Sequence, residues 1–350
     1  MQLQRKRGAK RPRYLLALLL PAAAMLSGFR MPSLSPPTIG GVTRVAQVTG
    51  PGSINDTARR WDVYGADLGH MLWYEGSRYL VFGDTFGSGG REWRSNTMAR
   101  VAAPVPSSGL PFASMVTGPG GGTAAELLGS RKVDGVEQTV IPTYGIAVGG
   151  RMYLHYMSVR HWTAPGRWQI NYSGMAWSDD GGHSWVKDPA TRWPADSNFG
   201  QVAMVQQRGT IYLLGIPAGR FGGVQVARVE EGDLLHPGQY RYWDGRAWGA
   251  DRATAATVVP APVGELSVRW SSYLGRWLMM YLDESRGAVV LRTAAHLTGP
   301  WSSEQEVTTA AEYPELYAPY LVPVETGPDV YFTMSQYGPY EVYLMRARLH

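Results

Sequence analysis

Two aspartates stand where they could do chemistry: Asp67 in Gly65-Ala66-Asp67-Leu68-Gly69-His70, and Asp84 in Tyr79-Leu80-Val81-Phe82-Gly83-Asp84-Thr85-Phe86-Gly87. Each lies at the edge of an apolar, strand-like run and is framed by glycines. A carboxylate so placed, beside residues small enough to let a ligand come close, is what acid/base work on a glycosidic bond requires. Aspartate in such contexts also serves as a turn residue that bonds its own backbone. Two of them joined by one hairpin, in an aromatic-rich chain, balance the two readings.

The elements that would position these groups are short strands. The 350 residues include 20 Tyr, 13 Trp, 43 Gly and 24 Pro, with only 17% charged residues. That composition favours strands and tight turns over long charged helices. Cysteine is absent, so disulfides and thiolate chemistry are excluded and the fold must rest on packing.

The high pI traces to one end. Arg5, Lys6, Arg7, Lys10, Arg11 and Arg13 precede the apolar run Tyr14–Leu26, which holds Ala22, Ala23 and Ala24. A basic segment, an apolar segment and small residues predict a signal peptide over 1–26, with an uncleaved signal anchor as the alternative. Taking those six basic residues from the formal charge of +5 leaves −1 for the remainder. A near-neutral domain gives nucleic acid no basic patch to displace counterions from. The expectation is a secreted or cell-envelope protein that works on a neutral polymer, touching membrane only if the leader is retained.

Residues 27–41, with Pro32, Pro36 and Pro37, predict a proline-rich linker, and 42–350 the folded domain. Within it a glycine-led aromatic-aliphatic strand recurs five times: Gly76–Phe82, Gly150–Tyr156, Gly209–Leu214, Gly275–Tyr281 and Gly327–Thr333. The segment Ser178-Asp179-Asp180-Gly181-Gly182-His183-Ser184-Trp185 is an Asp-box, the hairpin turn of a propeller blade, and Leu297–Trp301 is its relative. Together they predict an all-β, five-bladed β-propeller of four-stranded sheets. Val42–Val48 is the candidate strand that closes the last blade, although Val42, Val45 and Val48 do not alternate cleanly. The Gly/Pro-rich stretch Ala102–Val140 is a candidate wall beside the mouth.

The order of Ala66–Gly69, Phe82–Phe86, Trp93-Arg94-Ser95-Asn96, Ile141-Pro142-Thr143, Tyr153–Ser158, the Asp-box, Gly264–Ser267 and Leu316–Pro319 resembles the domain-of-unknown-function family 4185 over nearly all of Val42–Leu349. That family includes endo-D-arabinanase glycoside hydrolases (glycoside hydrolase family 183), five-bladed propellers that act on the D-arabinan of bacterial cell walls. The resemblance implies hydrolysis of α-D-arabinofuranosyl linkages in arabinogalactan or lipoarabinomannan. It places the family's two aspartates on Asp67 and Asp84, with their individual roles open.

Glu265, in Gly264-Glu265-Leu266-Ser267, is the third candidate carboxylate, and its competing role is a salt bridge with Arg269 or Arg292. For substrate binding the candidates are Arg94, Asn96, Tyr144, His155, Arg220, Trp270, Arg292 and Tyr317, with Trp162 and Asn171 similarly placed. Most aromatic residues in such a fold serve packing. No cofactor, catalytic metal or protein partner is expected, and calcium on the propeller axis stays open. Two rivals stand beside the hydrolase reading: a non-catalytic carbohydrate-binding propeller, and a glycosidase for another furanoside or for sialic acid. The sialic acid version needs clustered arginines.

Overall fold

Aromatic and β-branched runs separated by glycine turns pair into five antiparallel sheets in the computed structural model, which describes residues 36–102, 107, 109–324 and 327–350. The expected leader and most of the expected linker lie outside these residues. Blade I comprises Gly65–Tyr74, Ser77–Phe86, Thr97–Val101 and Phe112–Met115; blade II comprises Thr139–Val148, Arg151–Ala164, Arg167–Ser178 and Val186–Pro194. Blade III is built on Gln201–Gln207, Thr210–Ile216 and Gly222–Glu230, and blade IV on Leu266–Ser271, Arg276–Asp283, Ala288–Ala294 and Gln305–Thr309. Blade V holds Leu316–Leu321, Asp329–Gln336 and Glu341–Leu349, and its outer strand is Ile39–Gln47 from the opposite end of the domain. The one α-helix among the described residues is the single turn Thr57–Trp61.

The first strands of the blades touch in cyclic order around a common axis, which closes the ring. Each of the five glycine-led runs is the second strand of its blade. Gly76 and its four counterparts sit at φ between 62° and 82° in the preceding hairpin turn, where a Cβ would be strained. Five apolar clusters fill the five interfaces between neighbouring blades. Fully buried side chains such as Phe82, Leu154 and Phe332 contribute about 1.5–3 kcal/mol each.

Three expectations change. Blade III is six-stranded, not four-stranded, because Arg241–Trp243, Trp248–Gly249 and Thr257–Val263 add to its outer side. The closing strand begins at Ile39, ahead of Val42, and shifts register between Gly40 and Thr43 and again between Arg44 and Ala46. Those shifts swap which face a side chain points to, so the valines lose their alternation. Of the described residues in Ala102–Val140, Gln138 alone lines the mouth; the wall is instead the tip of the long blade II hairpin, Trp162–Trp168.

The Asp-box forms the turn before the outer strand of blade II. Asp180 accepts from Ser178 Oγ (2.8 Å), Ser184 N (2.9 Å) and Ser184 Oγ (2.6 Å), and Trp185 packs against the cluster between blades I and II. Trp301 takes the equivalent place in blade IV and packs between blades III and IV.

Candidate active site

Asp67 and Asp84 face each other across a defect in the first hairpin of blade I. Ala66 pairs with Thr85 and Leu68 with Phe82, so Asp67 alone opposes both Gly83 and Asp84. A second shift follows before His70, with Leu68 at φ 67° and Gly69 at φ 91°. Ser335 Oγ accepts from Leu68 N (2.9 Å), and the Tyr340 carbonyl accepts from Ala66 N (2.9 Å), which fixes the irregular backbone. Gly83 is required by close approach, since a Cβ there would lie 2.3 Å from Asp67 Oδ1. Irregularities of this kind re-aim a side chain without breaking the sheet.

The two carboxylates receive different partners. Tyr317 Oη donates to Asp67 Oδ2 (3.0 Å), while Asp67 Oδ1 is shielded and has no hydrogen-bond partner. Burial, then the nearby charge of Asp84, raise the Asp67 pKa to about 8 against the opposing effect of the Tyr317 and Tyr340 hydroxyls; Glu265 adds to the rise. Asp84 Oδ1 accepts from Trp93 Nε1 (2.7 Å) and Thr139 Oγ1 (2.5 Å). Burial lifts Asp84 to about 6, held from rising further by those two donors and by the charge of Lys132.

Glu265 is buried at the start of blade IV and pairs with Arg220 Nε at 2.9 Å, not with Arg269 or Arg292. Arg220 also bonds Glu284 (3.0 Å) and lies over the Tyr317 ring at 5.0 Å. Glu265 Oε2 is buried without a partner. Asp67, Asp84, Glu265, Arg220 and Tyr317 thus converge on one cavity of about 830 Å³ at the mouth of the ring. Its lining carries five acids (Asp67, Asp84, Glu265, Glu284, Glu315) and one base, Arg220, already committed to two of them.

The other sequence candidates fall elsewhere. Arg94 donates to the carbonyls of Glu92, Ala124 and Asp62, anchoring the loop that carries Trp93. Asn96 spends its amide on four backbone groups, at Leu127, Leu128 and Val140. Tyr144 stacks on His70 and packs behind the lining residue Tyr320 without lining the cavity itself. His155 Nδ1 pairs with Thr143 Oγ1 (2.6 Å) inside blade II, and burial lowers its pKa to about 3. Trp270 is 43% exposed and packs edge-on to Trp277, outside the cavity. Arg292 bonds Tyr281, Ser302 and Glu304 within blade IV. Asn171 bonds Val136 and Ser158, whereas Trp162 does line the cavity.

Residues not singled out include Trp93, Thr139, Tyr340, Glu284 and Trp168. Trp93 had a signal, since it opens the same Trp-Arg-Ser-Asn run and its indole N–H is a donor only. Thr139 had none, because it reaches Asp84 from the next blade. Among the described residues no group of three or more His, Asp or Glu side chains is arranged to hold a metal ion, and no helix is long and apolar enough to cross a membrane.

The fold recurs in solved structures of low identity. A candidate hydrolase from Bacteroides ovatus superposes with a TM-score of 0.59 at 15% identity, covering 83% of this chain and 87% of that one. The exo-beta-1,3-galactanase of Phanerochaete chrysosporium superposes at 0.55 with 10% identity, covering 87% of this chain and 64% of that one. At these identities the likeness is one of fold. In sequence the chain is 30% identical over 313 residues to the Notoamide biosynthesis cluster protein J of Aspergillus sp. (strain MF297-2), covering 82% of this chain and 83% of that protein. The profile of the domain of unknown function DUF4185 matches residues 52–346, and the chain belongs to that family.

Proposed function

We propose that the chain is an exported glycoside hydrolase that cleaves α-D-arabinofuranosyl linkages in cell-wall arabinogalactan or lipoarabinomannan. The observation that carries the reading is the opposed pair Asp67 and Asp84 in one cavity, with the first raised to about 8 and the second to about 6. Near neutral pH such a pair is one acid and one carboxylate, the division of labour that glycoside hydrolysis needs. Asp67 gives its proton to the leaving glycosidic oxygen. Asp84, oriented by Trp93 and Thr139, stays ionised opposite the developing oxocarbenium charge and either activates water or attacks the anomeric carbon. Glu265 sustains the proton on Asp67 through its charge, and Tyr317, bonded to Asp67 and lying under Arg220, links that aspartate to the Arg220–Glu265 pair.

The acidic lining supports an uncharged substrate. A sialic acid substrate would need free arginines, yet Arg94 and Arg292 are spent on carbonyls and Glu304, and Arg220 on two glutamates. A purely binding propeller has no use for a carboxylate pair held at unequal proton affinity. The test is release of reducing ends from purified D-arabinan and, in parallel, from a sialylated glycan. Release from D-arabinan alone agrees with the proposal, and release from the sialylated glycan alone refutes it.

A further inference from the structure

One stretch of chain, leading from blade I into blade II, reaches Asp84 twice. Thr139, at its end, donates directly to Asp84 Oδ1 (2.5 Å). Lys132, seven residues earlier, places its ammonium 4.4 Å from the centre of the Trp93 ring, and the indole N–H of that ring donates to the same oxygen (2.7 Å). Lys132 makes its ion pair with Glu126, not with Asp84, so its path to the carboxylate runs through the indole.

The ammonium is held in a fixed place. Lys132 Nζ donates to Ser95 Oγ (2.5 Å) and to Glu126 Oε1 (2.8 Å), and Glu126 Oε1 also accepts from Ser95 N (2.7 Å). Ser95 Oγ meets Ser130 Oγ at 2.9 Å. Ser95 is fully buried and lies two residues after Trp93, so the clamp and the ring share one backbone. Lys132 itself sits at φ 55°, a left-handed conformation that lysine seldom adopts. Glycine or asparagine would meet that backbone with less strain, and a strained residue that persists points to a use for its side chain.

A cation over the face of an indole draws on its π density and makes the ring N–H a stronger donor, more so in a poorly solvated wall than in water. From this geometry we infer that Lys132 is a positioning residue for Asp84: clamped by Ser95 and Glu126, its ammonium acts through the Trp93 indole to orient the carboxylate and keep it ionised. The other titratable groups around Asp84 are Asp67 across the hairpin, Tyr340 from blade V and Glu126, whose charge opposes that of Lys132. This inference rests on the glycosidase reading of Asp84 and adds to it the group that holds the carboxylate ready.

The experiment is proton–nitrogen NMR of the full-length protein labelled at its tryptophan indole nitrogens, with the Trp93 signal assigned by its loss in Trp93→Phe. The signal should titrate with Asp84. In Lys132→Met it should move upfield and its midpoint should rise, and Lys132→Arg should restore both. Glu126→Gln keeps the lysine and its acceptors but removes the opposing charge, so the midpoint should fall. On D-arabinan, kcat should drop on the order of tenfold in Lys132→Met with KM changed less than about twofold.

A lysine that served packing alone would, once replaced, lower the urea midpoint and leave the Trp93 signal and its titration in place. That result overturns the inference, and so does a Glu126→Gln midpoint that moves upward. The NMR readout needs no substrate, so the two failures are distinguishable. Hydrolysis with a Trp93 signal indifferent to Lys132→Met removes the positioning role alone, whereas a responsive signal in a protein that leaves D-arabinan intact removes the hydrolase reading alone.

Discussion

Asp67 and Asp84 differ in what surrounds their oxygens, and that difference sets a pH window. The proposed mechanism requires Asp84 ionised and Asp67 protonated, so kcat/KM should climb as pH rises through about 6 and decline as pH rises past about 8. The two limbs belong to the coupled pair. Lys132 lies 4.4 Å from the Trp93 ring and its charge favours ionised Asp84. Lys132→Met should therefore move the acidic limb upward while Lys132→Arg keeps it in place; pH–rate profiles of both variants measure this. Gly83→Ala should displace the Asp67 carboxyl and press on the buried Leu68 side chain, with kcat falling on the order of 100-fold and the urea midpoint falling by an amount equivalent to about 1–3 kcal/mol.

The two aspartates could be found in the sequence because their glycine frames leave a signature, and Tyr317 and Arg220 because polar and aromatic residues at strand ends converge in a propeller. Arg94, Asn96 and Arg292 carry the same residue types but turn their groups to backbone carbonyls or a neighbouring glutamate. Nothing local separates those fates, since the partner carbonyls belong to segments distant in sequence.

Among the strands, the seam between Glu341–Leu349 and the closing strand holds a buried carboxylate. Glu341 accepts from Thr49 Oγ1 (2.7 Å), and burial raises its pKa from 4.5 to about 8. Because the folded value lies above the unfolded one, the stability it allows is fully present below about 4.5 and is lost as pH rises through about 8. Glu341→Gln should remove roughly 2–4 kcal/mol of that loss, read as a gain in urea-unfolding free energy on the alkaline side and little change on the acidic side. An unchanged pH dependence would show that the seam is not the source. The seam also explains why the closing strand was hard to read: two bulges break its alternation. The second strands were clear because each follows a turn that demands glycine.

Viewed as a whole, the ring brings together groups that lie far apart along the chain: Asp67 and Asp84 from blade I, Thr139 from blade II, Arg220 from blade III, Glu265 from blade IV and Tyr317 from blade V. Five repeated strands were enough to predict the propeller, whereas the added strands of blade III have no repeat to announce them. The same closure makes the site depend on every blade. The most direct test incubates D-arabinan with the unsubstituted protein and with the Asp67→Asn and Asp84→Asn variants, and separates the released oligosaccharides by chromatography. The account predicts a ladder of short oligosaccharides from the unsubstituted protein and none from either folded variant. Turnover retained by both variants, or binding without product by the unsubstituted protein, would contradict it.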